Sequence, residues 1–285
     1  MNELPSQNLL AIDVGSSHVK LGWFPASGAC ASDKPAGNLP IAAAAVPAPD
    51  AACSVAHKDC FPADWLASVE GWLEQLPLGD SARCLVASVH AGAAEALAGC
   101  LQNHNWSQIK TLAAADLPLT VRVPKPQRVG IDRLASAVAA NRLREPNSPA
   151  ITVDMGTAIT VDLVAADGAF EGGAILAGPA LALAALHAGT ASLPLIDAMS
   201  LVTPDSPIGK STTEALAAGA HFGAIGAIRE LIARIAERCD RAPEVFITGG
   251  GAHASLADEL KASAQPIRYV PHLVLAGIRL AADRL

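Results

Sequence analysis

Charge is scarce in this chain of 285 residues. Only 16% of positions are charged, and the net charge is −7. Without a basic excess, nucleic acid is a poor candidate for the main partner, because phosphate backbones are held by clustered Lys and Arg. A bilayer-spanning run is also missing. The closest approach, residues 173–189, is interrupted by Gly178-Pro179 and contains His187. It falls short of the roughly 20 apolar residues a span needs and reads as a buried strand followed by a buried helix. The polar start, residues 1–7, leaves no room for the apolar core of a secretion signal. Six cysteines (Cys30, Cys53, Cys60, Cys84, Cys100, Cys239) form neither a Cys-x-x-Cys pair nor a disulfide framework. Cys53, His57 and Cys60 offer three potential metal ligands but no nearby fourth, which favours chance clustering in an Ala/Pro-rich loop. These absences point to a cytoplasmic protein with reduced thiols and no membrane partner. What the chain does have is apolar bulk: 51% hydrophobic residues, enough for two domains with cores of their own.

The most informative stretch is Ala150-Ile151-Thr152-Val153-Asp154-Met155-Gly156-Thr157-Ala158-Ile159-Thr160-Val161-Asp162. A β-branched run ends in an Asp, turns at a Gly and resumes as a second extended run, the pattern of a hairpin. Leu9 to Ser17 followed by His18 to Phe24 has the same shape. The two Asp-x-Gly-[Ser/Thr] turns lie 141 residues apart, about half the chain, which suggests a duplicated domain.

Between the hairpins, residues 25–62 are rich in Ala, Pro, Gly and Ser, with a weak edge strand expected over 39–46. Helical spacing covers 64–76, a strand 83–89, a helix 91–101, a strand 107–112 and a helix 130–144. After the second hairpin the same order returns. A third strand is expected over 170–176 and a helix over 181–187. The longest helix is expected over 212–238, opened by a Ser211/Glu214 capping box. A strand over 244–248 ends in Gly249-Gly250-Gly251. Then come a helix, a strand over 267–270 and a closing helix over 273–285. Gly219, Gly223 and Gly226 fall near one stripe of the long helix, as though another backbone packs there. Strands first, then alternating helices and strands, is α/β architecture.

Four places carry legible chemistry. The two Gly-Ser/Thr turns can present backbone N–H groups to phosphate oxygens, and the neighbouring Asp13 can hold Mg²⁺ directly or through water. Two ordinary β-turns would look the same. Thr248-Gly249-Gly250-Gly251 lets a flat ring or ribose lie against the main chain at a helix start, or is simply a tight turn. Gly209-Lys210-Ser211-Thr212 imitates the end of a P-loop but lacks the earlier Gly and the leading strand, so it reads as a capped helix start near a polar ligand. Gly130-Ile131-Asp132-Arg133 is either a helix cap with a surface ion pair, or a base (Asp132) beside a carboxylate grip (Arg133). The histidines share no catalytic spacing.

In order, these segments resemble the type III pantothenate kinases, a family that includes proteins called Bvg accessory factors and belongs to the actin-like ATPase superfamily with acetate and sugar kinases. The resemblance covers nearly the whole chain. Asp13-Val14-Gly15-Ser16-Ser17, Gly130-Ile131-Asp132-Arg133 and Asp154-Met155-Gly156-Thr157 correspond to its first phosphate, pantothenate and second phosphate motifs. Gly172-Gly173, Ile208 to Thr212 and Thr248-Gly249-Gly250 follow in the family's order. It implies two duplicated ribonuclease H-like domains with a cleft between them, divided here as 1–124 and 125–285. It also implies ATP-dependent phosphorylation of pantothenate to 4′-phosphopantothenate for coenzyme A synthesis.

By that resemblance Asp132 is the general base, and Gly130, Ile131, Asp132, Arg133 and Thr212 bind pantothenate. ATP is held by Asp13, Val14, Gly15, Ser16, Ser17, His18, Val19, Lys20, Thr157, Gly249 and Gly250. Asp154 sits at a monovalent-cation site for K⁺ or NH₄⁺, Mg²⁺ accompanies ATP, and a homodimer builds the substrate pocket at its interface. The chain departs from the family at Ser16-Ser17 (usually Asn-Thr), at Val123 (usually a substrate-contacting Tyr) and at Ala177-Gly178-Pro179. A superfamily kinase for another small alcohol, or a nucleotide-binding regulator without turnover, remain the alternatives.

Overall fold

A computed structural model describes residues 7–26, 45–57, 62–77, 82–104, 106, 108–197, 203–251, 259–260 and 266–285. The chain divides into two units, residues 1–145 with 272–285, and residues 146–271.

In the first unit, β1 (Leu9–Val14) runs antiparallel to β2 (His18–Phe24), and β2 runs antiparallel to β3 (Ala51–Ala56). On the other side of β1 lie β4 (Arg83–Ser88) and then β5 (Ile109–Thr111), both parallel. The sheet order is β3-β2-β1-β4-β5. β1 is buried along its whole length, as expected of a central strand covered on both faces. The side chains of Leu10, Ile12, Val14, Leu21 and Trp23 pack with Trp65, Val69 and Leu73 of α1 (Pro62–Leu73) and Leu97 and Leu101 of α2 (Ala91–Asn103). Each fully buried aliphatic side chain there contributes about 1.5–3 kcal/mol. α3 (Ile131–Leu143) follows the single turn Pro126–Arg128.

The second unit repeats the plan. β6 (Ala150–Met155) pairs antiparallel with β7 (Ala158–Val164), and β7 with β8 (Phe170–Ala177). β9 (Glu244–Thr248) and β10 (Ile267–Tyr269) extend the other side in parallel. Read from its own first strand, this sheet has the same 3-2-1-4-5 order as the first. The duplication inferred from two turns is therefore a duplication of whole sheets. α4 (Pro179–Gly189) and α5 (Thr212–Ala236) complete the unit, with Ile225, Ile228 and Ile232 of α5 buried on Val153, Val161 and Ile247. α5 is the one described helix long and apolar enough to cross a membrane by length and composition. It instead turns its isoleucines onto the sheet and carries Glu214, Arg229, Glu230 and Arg234.

α6 (Leu273–Ala282) returns the chain to the first unit. Its backbone comes so close to α3 that a Cβ on Gly277 would overlap the Ala135 carbonyl, and Leu275 fills the space beside Gly22 of β2. This packing separates the observed units from the division expected after residue 124. α3 is apolar on the face that meets α6 and β4, so it stays with the first sheet.

Two other expectations change, and two fall mostly outside the described residues. Residues 39–44 lie outside the described residues, and 45–46 are not strand; the third strand is Ala51–Ala56, whose Ala, Cys and Ser give little β signal. The helix expected after Gly251 falls mostly outside the described residues. The segment 173–189 is not buried: β8 is an edge strand with Ile175 62% exposed, and Leu183 alone is buried in α4. Finally, a Cβ at Gly219, Gly223 or Gly226 would meet open space, so no backbone of the described residues packs on that stripe.

Candidate active site

Each sheet ends its first strand on a penultimate aspartate, and the neighbours of the two differ. Asp13 is 4% exposed and faces Lys20 across the β1–β2 ladder, with the ammonium 3.8 Å from its carboxylate. Asp154 has Thr160 on one side and Thr248 on the other. The first aspartate thus shares its row with an ammonium, the second with two hydroxyl-bearing residues.

In the first unit the turn joining β1 to β2 is Gly15-Ser16-Ser17, closed by Gly15 N donating to His18 O at 2.9 Å. Val14 and Val19 are fully buried, so only their main chain can serve a ligand; Ser16 and His18 are exposed. Burial, the Lys20 ammonium and His57 together hold His18 below the usual imidazole value. Burial and Lys20 do the same to His272 at the start of α6. Two neutral imidazoles therefore accompany Lys20 at neutral pH.

The start of α3 lies at the same end of this sheet. Val89, just beyond β4, donates its N–H to Val14 O at 3.0 Å, and its Cγ1 is 3.5 Å from where a Gly130 Cβ would stand. Asp132 Oδ1 accepts from Arg133 N at 2.8 Å, and a side chain at Gly130 would displace that carboxylate. Ile131 is buried, whereas Asp132 and Arg133 are half-buried. Val89 thus links the strand that leads into the Gly15–Ser17 turn with the start of α3, and Ile131 serves the core.

In the second unit, Asp154 and the glycine turn converge, and Thr157 lies on the hairpin turn that follows Asp154. Gly249 has φ +104°, and a Cβ on it would strike Asp154 Oδ1 and the Met155 backbone. Gly251 N donates to Met155 O at 2.9 Å, and Gly178 N to Thr157 O at 3.0 Å. Gly172 and Gly173 serve a close approach: Gly172 has φ +93°, and a Cβ on Gly173 would overlap Val161 O and the buried Asp162. Thr212 opens α5 and is exposed. The Ser211 hydroxyl accepts from Glu214 N at 3.2 Å, while Glu214 reaches back to Lys210 N at 2.7 Å, one residue earlier than a capping box requires.

Oxygen donors suit both expected cations. The Asp13 carboxylate beside the Gly15–Ser17 turn would fit Mg²⁺ carried with a nucleotide, and Asp154 Oδ1 and Met155 O, gathered at Gly249, would fit a weakly hydrated monovalent ion. A separate cluster of Glu70, Cys100 and His104 lies between α1 and α2. There burial and the Glu70 hydrogen bond push the Cys100 thiol up to about 12, and His104 Nδ1 is bonded to Cys100 O. Its groups satisfy one another.

Sequence reasoning missed His57 and His90. His57 follows β3 and bonds the Gly15–Ser17 turn twice; His90 caps α2 and touches the His57 ring edge-on. Nothing in the spacing reveals this, because His57 reaches its partners only through a strand that the composition hides.

The family model for type III pantothenate kinases matches residues 9–234. A type III pantothenate kinase of Legionella pneumophila (strain Paris) is 36% identical over 183 residues, 64% of this chain and 69% of the relative. One from Rhodopirellula baltica is 39% identical over 194 residues, covering 66% and 68%. A Baf family protein of Campylobacter jejuni has a similar solved structure, with TM-score 0.53, 18% identity and 96% of each chain covered. Its likeness concerns the fold alone. With the matched region spanning both Asp-x-Gly turns and the Gly130–Arg133 segment, the chain belongs to the type III pantothenate kinase family.

Proposed function

We propose that Asp132 is the general base with which this pantothenate kinase activates the primary alcohol of its substrate. The enzyme transfers a phosphoryl group from ATP to pantothenate in the synthesis of coenzyme A. The assignment is supported by the start of α3 lying beside Val89, which bonds Val14 O just before the Gly15–Ser17 turn at one end of the first sheet. The alcohol oxygen attacks the γ-phosphorus, its proton passes to the Asp132 carboxylate, and the bond to the leaving ADP oxygen breaks. Arg133, half-buried beside the base, grips the pantothenate carboxylate in a two-pronged hydrogen bond. Gly130 lets the Asp132 carboxylate fold over the helix start, and Thr212 offers its exposed hydroxyl to pantothenate.

ATP is held by Asp13 to Lys20, Thr157, Gly249 and Gly250, with main-chain N–H groups and Lys20 facing phosphates. Mg²⁺, when bound near Asp13, would neutralise phosphate charge. Asp154 would hold K⁺ or NH₄⁺, supported by the oxygen-rich row Thr160–Asp154–Thr248.

A homodimer that completes the pantothenate pocket is part of this reading. Its support is apolar side chains on the second unit: Ile175, Leu181 and Leu186 are exposed, and none of the described residues approaches the glycine stripe of α5. A cytoplasmic location agrees with the unpaired thiols of Cys53, Cys84, Cys100 and Cys239.

The test of substrate is a panel of pantothenate, glucose and glycerol with ATP, Mg²⁺ and K⁺, read as product mass. Pantothenate gaining one phosphate fastest is the expected result. Faster turnover of a hexose would mean that Arg133 has been misassigned.

A further inference from the structure

We propose that His57 is a positioning residue that pins the first phosphate turn in the shape that receives ATP; this rests on the assignment of that turn to ATP phosphates. The two units hold their turns in the same way up to a point. In each, the residue after the third strand gives its backbone N–H to the last carbonyl of the turn: His57 to Ser17 O at 2.9 Å, and Gly178 to Thr157 O at 3.0 Å. The second turn has two residues between its strands, and Gly178 lies directly on it, since a Cβ there would overlap the carbonyls of Gly156 and Thr157. The first turn has three, and the added residue brings more conformational freedom for its bonds to restrain. His57 takes a second hold through its side chain, with Nε2 2.8 Å from Gly15 O. A carbonyl oxygen can only accept, so the Nε2–H form of the ring makes this bond.

The ring is itself fixed. His57 is 7% exposed, with Trp65 of α1 tilted against it at 5.8 Å between centroids and His90 edge-on at 5.0 Å. His90 in turn accepts from Ala93 N at the start of α2. The turn is thereby braced against two helices of its own unit. A carbonyl held by a donor does not swing towards an incoming phosphate, so His57 keeps Gly15 O and Ser17 O from opposing the anion.

The test compares His57→Gln with His57→Asn. The Gln amide nitrogen reaches about where Nε2 lies and can donate to Gly15 O; the Asn amide stops about where Nδ1 lies and cannot. Both keep the backbone bond and both lose the ring packing. The expected result is a KM for ATP raised about fivefold or more by Asn and largely restored by Gln, with the KM for pantothenate unmoved in each. Equal KM values for ATP in the two variants would overturn the proposal, whether both match wild type or both rise with a common fall in melting temperature. Gly15→Ala separates the underlying assignment: its Cβ would crowd His18 O at 3.2 Å. If that variant leaves the KM for ATP unchanged, the turn does not bind ATP and the proposal falls with it.

Discussion

Replacing Gly249 by alanine tests how the second unit joins its glycine turn to Asp154. The backbone at Gly249 has φ +104°, a conformation that L-residues rarely adopt, and its missing Cβ is where Asp154 Oδ1 and the Met155 N and O converge. Holding alanine in such a region costs about 1–3 kcal/mol, and forcing a methyl into a filled space costs about 1–3 kcal/mol more. Some of this will relax by displacing the Asp154 carboxylate and opening the Gly251–Met155 bond. Taking about 2 kcal/mol as the lower end, the transition of this unit should fall by at least about 4 °C. Gly250→Ala is the matched control, because a Cβ there meets nothing within 4 Å and φ is not positive. Scanning calorimetry of wild type and both variants gives the answer. The expected result is a clear loss for Gly249→Ala with a melting temperature near wild type for Gly250→Ala. Equal effects would refute the packing described for this turn. Since Asp154 is the proposed cation ligand, Gly249→Ala should also raise the K⁺ concentration needed for half-maximal rate.

His18 and His272 have imidazoles held below the usual 6.5, so the unfolded chain binds more protons than the folded one just under that pH. Stability is therefore full above about pH 6.5 and is lost as pH falls through the lowered folded values. His272→Asn, chosen because Asn tolerates the left-handed backbone at φ +57°, should flatten part of that fall in urea titrations at pH 7 and pH 5. Arg133→Lys should raise the KM for pantothenate about tenfold while leaving that for ATP within about twofold, because an ammonium cannot make the paired hydrogen bond. Ser211→Ala removes the 3.2 Å cap on Glu214 N and should cost about 1 kcal/mol of stability in urea titrations.

Much of this fold was legible because its strands announce themselves. Leu9-Leu10-Ala11-Ile12 and Ala150-Ile151-Thr152-Val153 are apolar runs ending in Asp-x-Gly, and both became central strands. β3 was hidden, since Ala51-Ala52-Cys53-Ser54 has weak β preference and relies on pairing with β2 for its extension. The site divided in the same way. Asp13, Asp132, Asp154 and the glycine turn were visible as local patterns, and each unit gathers its share of them. His57 was not, because its bonds to Gly15 and Ser17 span about forty residues through that hidden strand. The division into units differs from the one expected for a related reason: the affinity of α3 for α6 lies in Ala135 and Gly277, small residues whose close packing has no signature in spacing.

The most direct measurement is single-turnover formation of phosphopantothenate by wild type and Asp132→Asn, with ATP binding followed in parallel. The account predicts K⁺-dependent transfer in the wild type, and in the variant a rate lower by about 10² or more with ATP affinity retained. Transfer by Asp132→Asn at the wild-type rate would contradict the assignment of Asp132 as the base.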